Sequence, residues 1–228
     1  MANKKKMAER AAIEQKARQL RNIQVGGLTV IFIVIVAAFW VFSPNEQVSA
    51  SCAPFADIPV SAQYSAPDLR IDPSKLYFAT VKLAQGGEFV MQLYPDKAPI
   101  AVNSFVFLAC KGFYNGVTFH RVLEGFMAQG GDPTGTGGGG PGYEFENEDS
   151  DLVFDKAGVV AMANAGRDTN GSQFFITFGP AEFLNGGYTI FGQVIEGMDV
   201  VNGITRRDPD QSPNFAGDAI ETITVTEE

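Results

Sequence analysis

The sequence predicts a mainly β fold, a closed antiparallel barrel with two capping helices, preceded by a single transmembrane helix. Three observations carry this. Eight short segments are rich in apolar and β-forming residues and are punctuated by Asn-Gly or glycine-rich turns. Only two segments of the same region have helical character, and one uncharged apolar run near the start is long enough to cross a bilayer. Closing the strands into a barrel would leave no sheet edge exposed.

The first element is the apolar run. No residue from Asn22 to Asn45 is charged, and Ile23 to Phe42 is apolar apart from Gln24, Gly26, Gly27 and Thr29. About 20 helical residues at about 1.5 Å each match a hydrocarbon core of about 30 Å. Trp40 falls near the far end, where interfacial aromatic residues are favoured. The charge is lopsided. Met1 to Asn22 carries seven basic and two acidic residues, hence +5, which leaves ten basic and twenty-four acidic residues, or -14, within the formal net charge of -9. The positive-inside rule then keeps the N-terminus cytoplasmic and exports everything after Ser43. A cleaved signal peptide, ending at Val48-Ser49-Ala50, is the competing reading, but the apolar run exceeds the usual 7–15 residues of such peptides. The expected organisation is a basic cytoplasmic segment over 1–22, an anchor over 23–43, a Pro-rich linker over 44–75 and a globular domain over 76–228. Five prolines between Ser43 and Ser74 argue against regular structure in the linker.

The domain reads in order. Leu76–Ala84 and Glu88–Tyr94 alternate in polarity around Gln85-Gly86-Gly87, as a β-hairpin does. A helix is expected from Ala98 to Lys111, with Pro99 in its first turn, an apolar stripe at Ile100, Phe105 and Leu108, and Gly112 beyond its end. Further strands are expected at Val117–Arg121, Met127–Gly130, Val159–Ala163, Phe174–Thr177, Thr189–Val194 and Ile220–Thr226, with a second helix at Met198–Ile204.

Several chemistries are disfavoured. So acidic a domain has no electrostatic case for nucleic acid. The run Gly135 to Gly140 lacks the Gly-Lys-Ser/Thr of a phosphate loop, and the acidic cluster from Glu144 to Asp151 lacks the calcium-loop pattern. Asn170-Gly171-Ser172 matches a glycosylation sequon but reads more simply as a turn, and no GxSxG elbow is present. No metal or cofactor is expected. Cys52 and Cys110 could pair in an oxidising compartment, although Cys110, on the buried face of a helix, reads better as a free thiol.

Three stretches narrow the function: FHRVLEGFMAQGGD (Phe119 to Asp132), AMANAGRDTNGSQFFIT (Ala161 to Thr177) and EFLNGGYTIFGQVIEGMDVV (Glu182 to Val201). Together, in this order, they resemble the cyclophilin family of peptidyl-prolyl cis/trans isomerases, and the resemblance covers about Leu76 to Glu228. It implies an eight-stranded barrel and an enzyme that rotates Xaa-Pro bonds without cofactor, acting on proline-containing polypeptides as a monomeric domain. Combined with the predicted export, it implies help in folding exported proteins. A tethered proline-peptide receptor or holdase would use the same groove without turnover.

Residue by residue, the resemblance implies that Arg121 is the catalytic arginine. It implies a proline-binding groove of Phe126, Met127, Gln129, Ala163, Asn164, Gln173, Phe175 and Leu184, with Phe183 and Tyr188 at its wall. Phe183 and Tyr188 stand where many eukaryotic members have Trp and His, which puts cyclosporin sensitivity in doubt. Strand alternation agrees with the assignment: Gln173 and Phe175 share a face, as do Met127 and Gln129, whereas His120 points away from Arg121 and reads as a core residue.

Overall fold

The computed structural model describes residues 50–52 and 62–228. The expected anchor over 23–43 and its basic lead-in lie outside the described residues; among the described residues no helix is long and apolar enough to cross a membrane.

The hairpin forms as expected. β1 is Ala50–Cys52, β2 Tyr77–Leu83 and β3 Glu88–Leu93, and β2 and β3 pair antiparallel from Tyr77↔Leu93 to Lys82↔Glu88. Alternate β2 residues Tyr77, Ala79, Val81 and Leu83 are buried, which is why this register holds: a slip of one residue would expose all four. β4 (Arg121–Leu123), β5 (Met127–Gly130), β6 (Val159–Met162), β7 (Phe174–Thr177), β8 (Ile190–Glu196) and β9 (Ile220–Glu227) complete the sheet.

The strand order is β1-β9-β2-β3-β8-β6-β7-β5-β4, and every pairing is antiparallel. This corrects the closed barrel expected from sequence, because among the described residues no ladder joins β4 to the β1–β9 end. The sheet is a curled half-barrel, and isolated bridges at Thr118↔Ala219 and Val122↔Arg207 tie its ends without closing it. The expected strand at Val117–Arg121 is displaced for the same reason. Val117 and Phe119 are buried, but their segment meets the start of β9 through isolated bonds, and the ladder begins only at Arg121. β1 is a second correction, since it falls in the stretch read as irregular linker yet pairs with β9.

Helix α1 is Pro99–Cys110 and α2 is Met198–Asn202. Ala98 offers no capping side chain to α1. Glu148 reaches in from a distant loop instead, accepting from the amides of Ile100 at 2.8 Å and Ala101 at 2.9 Å. Beyond its end, Gly112 adopts φ 67°; the Gly112 amide donates to Ala109 O and the Phe113 amide to Leu108 O, a Schellman arrangement. The helix is buried from Ser104 to Cys110 rather than along one stripe, and Ile100, expected in that stripe, is exposed. Cys110 is disulfide-bonded, against the free thiol favoured from sequence.

Two apolar clusters form on opposite faces of the sheet. Residues of both helices fill the main one, with Phe105, Val122, Ala128, Val160, Phe174, Ile176 and Phe191. The smaller one holds Met127, Phe154, Val159, Ala161, Phe175, Ala181, Leu184 and Ile190.

Candidate active site

The smaller cluster follows from strand register. Arg121 faces Gln129 across β4–β5, Gln129 faces Phe175 across β5–β7, and Phe175 faces Ala161 across β7–β6. Residues directly opposite share a face, so one row runs Arg121–Gln129–Phe175–Ala161 across four strands. The next row, Val122–Ala128–Ile176–Val160, points the other way and lies wholly in the main core. One face of four short strands therefore packs the interior while the other presents a polar-and-apolar row outward.

Apolar residues surround that row. Met127 and Phe175 are buried, with Leu184 and partly buried Phe126, Ala163 and Tyr188 beside them. Phe175 is clasped between two rings: it stacks on Phe154 at 5.8 Å and meets Tyr188 edge-on at 5.4 Å. Phe183 is 77% exposed at the rim, with its ring 5.5 Å from that of Phe126.

The polar residues lie on one flank. Gln129 Nε2 donates to Gln173 Oε1 at 2.9 Å, and Gln173 Nε2 donates to Gly137 O and Gly139 O, each at 2.9 Å. Asn164 Nδ2 donates to Gly187 O at 3.2 Å while its Oδ1 accepts from the Gly166 amide. Gln129, Ala163, Asn164 and Gln173 line a cavity of about 770 Å³ that continues under the glycine run. That run, read from sequence as a loop, is wrapped around buried Asp132, whose carboxylate accepts from the amides of Thr134, Thr136 and Gly137. Burial pushes the Asp132 carboxyl up, but these donors outweigh it and hold it below its ordinary range.

Arg121 is half-buried, and its Nη1 lies 4.0 Å from Met127 Sδ. Among the described residues no carboxylate pairs with it. Its planar charged fork therefore sits at the edge of the apolar patch. His120 turns inward, 2% exposed, with no well-formed hydrogen bond on either ring nitrogen; burial lowers its pKa and keeps it neutral.

All eleven residues singled out from sequence thus meet on one face, with Phe183 at its rim. The sequence reading missed Phe154, Val159, Ala161, Ala181 and Ile190. Phe154 and Ala181 sit in irregular segments, where no periodicity marks an inward side chain.

Comparison with known proteins agrees with this geometry. The family described as cyclophilin type peptidyl-prolyl cis-trans isomerase/CLD matches residues 78–225. Peptidyl-prolyl cis-trans isomerase-like 1 of Homo sapiens is 52% identical over 122 residues, covering 52% of this chain and 74% of that relative. Peptidylprolyl isomerase domain and WD repeat-containing protein 1 of Mus musculus is 36% identical over 235 residues, 97% of this chain but only 36% of that longer protein. A crystal structure of a Cryptosporidium parvum cyclophilin type isomerase superposes with TM-score 0.59 at 32% identity, covering 67% of this chain and 99% of that one. The same protein, in the presence of the dipeptide ala-pro, superposes with TM-score 0.58. The chain belongs to the cyclophilin-type peptidyl-prolyl cis-trans isomerases.

Proposed function

We propose that Arg121 drives rotation about Xaa-Pro bonds held in the groove described above, and that the enzyme works tethered to a membrane outside the cytoplasm. The observation that carries the catalytic part is the Arg121 guanidinium, without a carboxylate partner among the described residues, beside an apolar floor. A peptide bond resists rotation by about 18–20 kcal/mol because nitrogen shares its lone pair with the carbonyl. Twisting the bond localises that pair on the prolyl nitrogen. A donor aimed there binds the twisted state better than either planar one. Arg121 is suited to donate, since its planar guanidinium presents charge-assisted N–H donors in a rigid fork.

One charge-assisted hydrogen bond is worth about 1.5–3 kcal/mol, or one to two decades of rate. The remainder is assigned to positioning: Phe126, Met127, Phe175 and Leu184 hold the proline ring, Gln129 and Asn164 hold the flanking backbone, and Ala163, Gln173, Phe183 and Tyr188 complete the walls. The apolar floor also withholds water from the imide, which favours the less polar twisted form. No step needs an acid, a base, a metal or a covalent intermediate. The ala-pro dipeptide present with the Cryptosporidium parvum relative fits this substrate class.

The tether rests on the apolar run from Ile23 to Phe42 and on the charge asymmetry around it. A disulfide at Cys110 suits an oxidising compartment. In this reading the residues from 44 up to β1 connect the anchor to the domain, and the substrates are exported chains. Protease added to intact cells should remove the domain; a domain degraded only after lysis would overturn the orientation.

A further inference from the structure

The stretch between the proposed anchor and the domain does not simply hang free. Gln63 and Tyr64, which precede the family-matched region 78–225, are fastened to the glycine run beside the groove. The Tyr64 amide donates to Pro141 O at 2.7 Å, and Gln63 Nε2 donates to Gly140 O at 3.0 Å. The Tyr64 ring anchors the pair, meeting Phe107 of α1 edge-on at 5.1 Å and Phe113 at 6.5 Å. The fit is close: Gly142 has φ +97°, and a Cβ there would stand 2.7 Å from Tyr64 O.

Hydrogen bonds continue from this strap to the groove. The loop it grips offers Gly137 O and Gly139 O to Gln173, Gln173 accepts from Gln129, and Gln129 faces Arg121 across β4–β5. Gln63 lines the same cavity as Gln129 and Gln173. We propose that Tyr64 and Gln63 are positioning residues for substrate binding: the docked strap fixes the glycine run, which orients the Gln173–Gln129 pair that holds peptide backbone. This rests on the assignment of Gln129 as a substrate anchor made above.

The test uses the full chain in detergent, comparing native protein with Tyr64→Ala and Tyr64→Phe. KM and kcat are read for a proline tetrapeptide, with the Kd of a fluorescent proline peptide alongside. Tyr64→Ala should raise KM and Kd about three- to tenfold, the weight of roughly one hydrogen bond, with a smaller change in kcat. Tyr64→Phe should behave as native, because the Tyr64 hydroxyl is buried without a hydrogen-bond partner among the described residues and the ring supplies the anchorage. Amide exchange over 137–142 should speed up in Tyr64→Ala only. Unchanged KM and Kd in a folded Tyr64→Ala variant would overturn the proposal, as would an equal loss in Tyr64→Phe. If the native chain binds the peptide without isomerising it, the catalytic reading fails and the strap is judged on Kd. If it does neither, both fall.

Discussion

Truncating Phe175 to alanine should do two separable kinds of damage. The side chain is 4% exposed and joins strand β7 to both Phe154 and Tyr188. Removing a buried Phe costs about 3–5 kcal/mol. Its two ring pairs, at about 0.5–1.5 kcal/mol each beyond area burial, place this site in the upper half of that range. A domain of this size holds about 5–15 kcal/mol, so the variant should still fold. Each kcal/mol moves Tm by about 2–4 °C in a chain of 150–250 residues, which predicts a fall of roughly 8–20 °C. Phe175→Leu keeps much of the apolar area and should lose about 1–3 kcal/mol, chiefly the ring pairs. Thermal denaturation followed by circular dichroism measures both. Isomerisation assayed well below the lowered Tm should show KM raised in each variant, since the floor under the proline is altered. A Tm shift under about 3 °C for Phe175→Ala would refute the claim that this ring organises the second cluster.

Three other outcomes are expected. Glu148→Ala leaves two amides of the first turn of α1 without their acceptor and should cost about 1–3 kcal/mol in urea denaturation, with kcat little changed because Ala101 belongs to the main core and not to the groove cluster. Isomerisation should be flat from about pH 6 to 9, since the proposed step transfers no proton; a bell-shaped profile would instead reveal acid–base chemistry. Stability behaves differently: burial places the His120 pKa below its ordinary value near 6.5, so the unfolded chain takes up the proton first, and stability is full above that pH and falls as pH drops toward the folded pKa, a slope that His120→Gln should remove.

Much of this was legible from side-chain pattern. The bounds of α1 fall within one residue of those expected at either end, because proline and glycine mark both ends by backbone chemistry rather than by packing. The candidate site residues came from the family resemblance of three short motifs rather than from pattern; alternation within Met127–Gly130 and Phe174–Thr177 says only which of them share a face. The open seam was not legible. Val117 and Phe119 carry the burial pattern of a strand, but periodicity reports which side chains are buried and not whether the backbone finds a ladder partner. The cap from Glu148 and the docking of Tyr64 were equally hidden, since both join residues 40 or more positions apart through irregular segments. Cys110 shows the same limit: a buried helical position suits a thiol and a disulfide alike.

The most direct test is isomerisation of an Xaa-Pro peptide by the native chain beside Arg121→Ala and Arg121→Lys. The native protein should accelerate isomerisation strongly, Arg121→Ala should lose at least one to two decades in kcat/KM, and Arg121→Lys, which keeps a charge but loses the planar fork, should retain partial activity. A folded Arg121→Ala variant that isomerised the peptide at the native rate would contradict the proposed role of Arg121.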